Sequence, residues 1–422
     1  LPACKSCPHF ATCPGPAEAT LDVHGVNDFP TLEKSFEPPP DGLKTDNPRL
    51  MHHLETERIN RLDAPYESRA IDELYIMYTF ACNLRCDYCW LWGETGVAHD
   101  DQVRKEHTEI LKEDVLIDLV EQAAAYNLRS INLSGGEPLV SRTWYPLSKR
   151  ARELGLSIEL TTSGVLVERN LPKILEVFNQ VNVSLNCPPT TATTLRGGPA
   201  GNYDLTIRGM KAISDYRREN PGKGPRLCTL TTISDTNYNQ MGELTRYLID
   251  EGIALDQMYF QFLIFIPPEE MEAMRQILRE EYDAALTLLD AYRYAPSGID
   301  FEVMAAQVQE IREAFPAARF SAPLDQEGMK RYYHGKKWGV MPKYCFTPWT
   351  EIDVLPNGDI YTCPDIVVGN VLEQSLEEIW NGPKLQKLRK RVSKELFPVC
   401  TGCFHYWGNR GAHMTHIGQG PK

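Results

Sequence analysis

Three thiols spaced to suit an iron–sulfur cube are the first place where this chain could do chemistry. Cys82, Cys86 and Cys89 lie in Cys82-Asn83-Leu84-Arg85-Cys86-Asp87-Tyr88-Cys89, a C-x3-C-x2-C pattern directly after the apolar, β-prone run 74–80. Clusters take one thiolate per iron, so three cysteines can hold three corners of a cube and leave the fourth iron to a small chelating molecule. Zinc is the rival reading, although a structural zinc asks for four ligands in closed tetrahedral geometry; chance clustering is the third. A second stretch, Ser134-Gly135-Gly136-Glu137-Pro138, follows the strand-like Ile131-Asn132-Leu133 about fifty residues later.

With both motifs in this order, each after a strand-like run, residues 70–410 or so resemble the radical S-adenosylmethionine (radical SAM) enzymes. The resemblance implies a [4Fe-4S] cluster on Cys82, Cys86 and Cys89, with SAM on the free iron through its amino and carboxylate groups. It implies that Gly135, Gly136 and Glu137 bind the SAM amino group and that Tyr88 lines the adenine. In relatives with an auxiliary domain, a serine on the fourth strand contacts the ribose and an arginine twelve residues later reaches the SAM carboxylate. That spacing runs here from Ser184 to Arg196, whose plain reading is a loop arginine in solvent. The implied reaction is reductive cleavage of SAM to methionine and a 5′-deoxyadenosyl radical, which takes a hydrogen atom from a C–H bond.

The C-terminal region carries a second thiol set. Cys345 precedes a hairpin, 351–361, whose Asn357-Gly358 is a strong turn signal between alternating apolar residues. Folding it carries Cys363 back toward Cys345. Ser375 and Glu378 stand in capping-box spacing, and Cys400-Thr401-Gly402-Cys403 follows. C-x17-C then C-x2-C resembles the twitch domain, the shortened form of the SPASM domain, in which four cysteines bind one auxiliary [4Fe-4S] cluster; the longer form needs a further cysteine where this chain has Asn409. Structural zinc is again the rival. Such a closed cluster would transfer electrons. Asp365 stands two residues after Cys363, either as a base during substrate oxidation or as a turn carboxylate. Cys187, in Asn186-Cys187-Pro188 where relatives often have Asp-Gly-Pro, reads as a hydrogen-atom donor, a cluster ligand or a buried inert thiol. Cys228, inside the fifth strand, reads as core.

At the N-terminus Cys4, Cys7 and Cys13 form C-x2-C-x5-C among prolines and glycine, a stretch that needs a metal to be ordered. The spacing resembles part of a SPASM domain and suggests a third [4Fe-4S] cluster, with zinc or no metal as alternatives. Its fourth ligand could be an upstream residue, Cys187, Cys228 or a substrate atom.

Elements to position these groups are legible from periodicity. Strands are expected near 74–80, 130–134, 157–163, 181–186, 226–233 and 257–265. Helices are expected near 107–126, 144–154, 171–179, 203–219, 239–251 and 269–293, with a polar-aromatic loop at 329–341 that could close the site. Regular β–α alternation with right-handed crossovers predicts a parallel sheet wrapped by helices. The fold class is therefore α/β: a partial (βα)6 TIM-type barrel, chemistry at its C-terminal strand ends, with a small C-terminal β-hairpin and helix domain for the auxiliary cluster and a Cys-containing N-terminal extension. The expected divisions are 1–70 for the extension, 71–300 for the barrel, 301–343 for a connecting region and 344–422 for the auxiliary domain and tail.

Composition bounds the partners. Net charge is −13 over 422 residues, which argues against a nucleic-acid-binding face. The basic run Lys384, Lys387, Arg389, Lys390 and Arg391 reads as a solvated helix face. No apolar run is long enough to span a membrane. No export signal opens the sequence, and twelve cysteines then read as metal ligands in a cytoplasmic protein. The expected partners are a small-molecule or peptide substrate and a reductant such as flavodoxin or ferredoxin. Three functions follow: a radical SAM oxidoreductase or related enzyme acting on a small molecule, a radical SAM maturase that oxidises, epimerises or cross-links a peptide or protein, and a non-catalytic Fe–S or zinc protein.

Overall fold

The computed structural model describes residues 66–108, 111–192, 197, 201–294, 296–321, 325–334, 345 and 347–403. Cys4, Cys7, Cys13, Arg196 and most of the expected 329–341 loop lie outside the described residues.

Six parallel strands form the frame in sequential order: β1 (Glu73–Met77), β2 (Ser130–Ser134), β3 (Ser157–Thr162), β4 (Gln180–Ser184), β5 (Arg226–Ile233) and β6 (Gln257–Phe262). Helices α1 (Asp101–Thr108) and α2 (Glu113–Ala124) link the first pair; α3 (Trp144–Glu153), α4 (Val167–Val177), α5 (Asn202–Glu219) and α6 (Met241–Asp250) make the later crossovers. The outward residues of the strands, among them Leu74, Ile76, Leu133, Ile158, Leu160, Val181 and Val183, are at most 1% exposed against the helices. The other face follows from the period of two. Asp353, Tyr75, Asn132, Glu159 and Gln180 stand side by side across neighbouring strands, so a polar row lines the inner wall.

Beyond the frame come α7 (Pro268–Tyr282), α8 (Phe301–Ala314), β7 (Arg319–Phe320, parallel to β6) and α9 (Gln326–Tyr333). The C-terminal part adds β8 (Glu351–Val354), β9 (Asp359–Tyr361), β10 (Val367–Asn370), α10 (Leu376–Trp380) and α11 (Pro383–Val392). Its hairpin turns at Gly358, whose φ of 89° favours glycine, and the Ser375–Glu378 capping box is present. β8 pairs in parallel with β1, so one ten-stranded sheet runs β10-β9-β8-β1-β2-β3-β4-β5-β6-β7. The auxiliary hairpin is thus built onto the very strand that leads into the first thiol loop.

Three expected elements differ. The helix expected over 107–126 is two helices: the carbonyls of His107 and Thr108 accept from the Phe80 N–H (2.9 Å) and the Thr79 hydroxyl (3.1 Å), which ends α1 against the cysteine loop. The helix expected to reach residue 293 stops at Tyr282, where Asp283 turns left-handed at φ 50°. The expected loop at 329–341 begins inside α9, where Tyr333 is buried and donates to the Ile233 carbonyl at 2.7 Å.

Candidate active site

The cysteine loop and the Gly135-Gly136-Glu137 turn are packed together by backbone. Tyr78 N–H donates to Ser134, Gly136 N–H to Thr79 (2.5 Å) and Glu137 N–H to Ala81 (2.9 Å). Gly135 sits at φ 116°, and a Cβ on Gly136 would lie 2.2 Å from the Ala81 carbonyl oxygen. Both glycines are required because the turn lies directly on the chain entering the thiol loop. Gly136→Ala should therefore cost about 1–3 kcal/mol of stability by overpacking and weaken SAM binding; denaturant melts together with titration of SAM into reconstituted protein measure the two.

Glu137 is fully buried, and its carboxylate is held entirely by the chain. It accepts from the Thr162 hydroxyl (2.8 Å), the Ser163 N–H (2.7 Å) and hydroxyl (2.6 Å), and the Leu139 N–H (3.1 Å). The side chain thus ties the turn to the end of β3. Ser184 ends β4, half-buried. Tyr88, in the cysteine loop, accepts at its hydroxyl from the Asn186 amide, and Asn186 Oδ1 accepts from the Thr232 N–H at 2.5 Å. These bonds place Tyr88 over the ends of β4 and β5. Gly197 lies against the same loop, a Cβ there falling 2.5 Å from the Arg85 carbonyl oxygen.

The thiols of the loop are gathered in a partly buried pocket. Burial pushes the Cys82 thiol up to about 12 and the Cys89 thiol up to about 11, and the neighbouring thiols add to both shifts. Without a cation these groups stay protonated; cluster assembly must displace their protons. Asn83 Nδ2 is buried and has no hydrogen-bond partner among the described residues, a donor left for a bound acceptor. Cys345, Cys363, Cys400 and Cys403 form the second set. Burial raises the Cys363 thiol well above its ordinary range, with the other three thiols of the set adding to it. Among the described residues no three Cys, His, Asp or Glu side chains close round a point as the ligands of one metal ion do. A cube, with one iron per thiolate, asks for a wider set. No described cysteine is in a disulfide. The donor sets fit the two clusters.

Other expected residues are placed as follows. Cys187 is fully buried beside Ala192 and Tyr203, whose hydroxyl donates to the Cys187 carbonyl at 3.1 Å. Cys228 is buried within β5. Asp365 is buried, and its oxygens accept the backbone N–H groups of Thr287 (2.9 Å), Leu288 (2.7 Å) and Leu289 (3.0 Å). That is the geometry of a turn carboxylate. Burial is the main influence on it and raises it, the three N–H bonds opposing.

The residues that Asp365 holds form a strut between the two thiol sets, and nothing local in the sequence marks it. At its other end the Thr95 hydroxyl donates to the Ala291 carbonyl at 2.7 Å, and the Tyr292 ring stacks on Trp90, next to Cys89, with centroids 6.4 Å apart. Tyr292 is raised chiefly by burial, with Cys403 and Cys89 both contributing. Asp353 on β8, 2% exposed beside Tyr75 and Tyr361, was also unmarked in the sequence.

Two family models match the chain, together over more than half of it: the radical SAM superfamily at residues 76–248 and SPASM, an iron–sulfur cluster-binding domain, at residues 345–404. A tungsten-containing aldehyde ferredoxin oxidoreductase cofactor-modifying protein of Pyrococcus furiosus is 23% identical over 78% of this chain and 86% of its own. Pre-heme d1 synthase of Dinoroseobacter shibae is 25% identical over 85% of each. The crystal structure of Streptococcus suis SuiB bound to S-adenosylmethionine shares the fold, with a TM-score of 0.53 at 15% identity over 80% of this chain and 71% of that one.

Proposed function

The chain belongs to the radical SAM superfamily and carries a C-terminal SPASM domain, and from that premise we propose that its substrate is a small molecule. The enzyme class and its cofactors, SAM with a [4Fe-4S] cluster and an auxiliary [4Fe-4S] cluster, come with the family. When bound, the SAM-ligating cluster would supply the electron that splits SAM into methionine and a 5′-deoxyadenosyl radical, which takes a hydrogen atom from the substrate.

The observation that carries the site assignment is the chain entering the three-thiol loop bonded, backbone to backbone, to the glycine turn. Cys82, Cys86 and Cys89 would hold the cluster. Gly135 and Gly136 keep the turn close enough for its backbone to meet the SAM amino group, while Glu137 positions that turn against the end of β3. Tyr88 stands where the adenine would lie, steadied by Asn186, and Ser184 and Arg196 are assigned the ribose and carboxylate. Positioning the substrate for attack at a chosen C–H bond falls to the C-terminal strand ends, where both motifs lie. Cys345, Cys363, Cys400 and Cys403 would hold the auxiliary cluster as an electron carrier, supplied by a flavodoxin or ferredoxin. Asp365 is structural in this reading.

Small-molecule chemistry is supported by the two relatives matched over more than three quarters of the chain, one named as modifying a cofactor and the other as making pre-heme d1. The likeness to SuiB is one of fold. The test is anaerobic incubation of reconstituted enzyme with SAM, reductant and either a small-metabolite extract or a peptide library. Deoxyadenosine release stimulated by the metabolites alone is the expected result. Stimulation by peptides alone would make the chain a peptide maturase, and no deoxyadenosine at all would remove the reading.

A further inference from the structure

Helix α11 presents a basic face beside the second thiol set, in a chain whose net charge is −13. Leu385, Leu388, Arg389 and Val392 are buried, while Lys384, Lys387 and Lys390 are exposed at helical spacing and Lys394 is exposed in the turn just past the helix end. Arg391, on the same helix, pairs with Glu281 and Glu395, each at 3.3 Å. Lys384, Lys390 and Lys394 take no ion pair among the described residues. Arg389, the one basic residue of the expected solvated run that turns inward, is fully buried and donates to the Pro348 carbonyl at 2.7 Å.

The face continues inward to the thiols. Lys387 Nζ stands 4.7 Å from the centre of the Tyr282 ring, and that ring meets Phe397 edge-on at 6.1 Å. Phe397 leads into the turn Pro398–Gly402, which carries Cys400. Arg391 also lies over the Phe397 ring, its guanidinium carbon 5.2 Å from the ring centre. The Tyr282 hydroxyl is buried without a hydrogen-bond partner among the described residues. Lys387, the Tyr282 and Phe397 rings and the turn carrying Cys400 thus follow one another inward.

We propose that the lysine face of α11 is the docking surface for an acidic one-electron carrier protein, a flavodoxin, which reduces the chain through the cluster of Cys345, Cys363, Cys400 and Cys403. This rests on the SPASM reading of that site and adds the place where electrons enter. Docking brings acidic groups onto the lysines and the carrier's redox group next to Tyr282. The carrier loses one electron and the cluster gains it; no bond forms or breaks and no proton moves. Elsewhere a chain of charge −13 repels an acidic partner, so the local reversal of sign both attracts and orients it.

The test compares wild type with the triple variant Lys384→Glu, Lys390→Glu, Lys394→Glu, three exposed positions at which the fold is not at stake. Both are reconstituted anaerobically, and binding of a flavodoxin of net negative charge is measured by calorimetry at low and high salt. Reduction of the C-terminal cluster by that flavodoxin is followed by electron paramagnetic resonance. The expected result is at least a tenfold loss of affinity and of reduction rate at low salt, with the wild-type salt dependence largely abolished. Dithionite needs no docking surface, so dithionite-driven SAM cleavage should be equal in the two proteins; its absence from both would be a failure of the enzyme reading and not of this one. Flavodoxin affinity and rate within twofold of wild type, with the salt dependence intact, would overturn the proposal. So would a variant that loses affinity for a single-stranded oligonucleotide but not for flavodoxin.

Discussion

Cys86→Ser will reduce SAM cleavage to background while leaving the fold and the C-terminal cluster in place. On the proposed site each thiolate of the loop would serve a separate iron, so two could not hold the cube. Serine keeps the size of the side chain but removes the thiolate. The position is only half-buried, and the loop is braced independently by Gly93 N–H to the Cys89 carbonyl (2.6 Å) and by the Trp92 indole to the Phe80 carbonyl (2.9 Å). The half-buried side chain contributes little to the core, so what the variant loses is the ligand and not the frame. Far-ultraviolet circular dichroism should therefore be unchanged. Iron per chain should fall by about four, one cluster's worth, and deoxyadenosine should disappear from the chromatogram. Cys400→Ser is the contrasting variant, since it should strip iron from the other site and still permit SAM to bind. Cleavage above a tenth of the wild-type rate in Cys86→Ser would mean that the loop does not carry the catalytic iron.

The frame and both thiol sets were readable because their signals are local. Alternation along β1 to β6 is a short-range pattern, the Asn357-Gly358 turn and the Ser375 cap each lie within four residues, and cysteine spacing is a count. What escaped depends on partners far away in the chain. Residues 269–293 keep apolar residues at helical spacing, yet the helix ends at Tyr282, where Asp283 turns left-handed, and the N–H groups of Thr287 to Leu289 go to Asp365. The same long-range bonds decide the fate of Asp365 itself. Two residues from Cys363 it could be a base or a turn carboxylate, and only the distant backbone donors that fill its oxygens favour the second. Asp353 lies within the expected hairpin, and only the pairing of β8 with β1 sets it beside Tyr75. In each case a propensity was overridden by tertiary contact, which periodicity does not report.

Glu137→Gln is expected to cost stability and SAM affinity together. The wild-type carboxylate is wholly buried and receives only donors: the Thr162 hydroxyl, the Ser163 N–H and hydroxyl, and the Leu139 N–H. An amide presents one oxygen and one NH2, so whichever way it turns, an N–H faces an N–H or a hydroxyl. Leaving buried donors unsatisfied costs about 1–3 kcal/mol, and losing charge-assisted bonds adds to that. The loss falls at a functional hinge, since the side chain holds the glycine turn against Thr162 and Ser163 at the end of β3. Ser163 in turn reaches Asn83 of the cysteine loop at 3.4 Å. Loosening this corner should raise the SAM dissociation constant by more than tenfold and alter the SAM-induced change in the cluster's paramagnetic resonance spectrum, while the C-terminal cluster keeps its own spectrum. Glu137→Asp, which keeps the charge but shortens the reach, should fall between the two. If Glu137→Gln lowers the denaturation midpoint and SAM binds as before, the carboxylate braces the barrel alone and the turn meets SAM without its help.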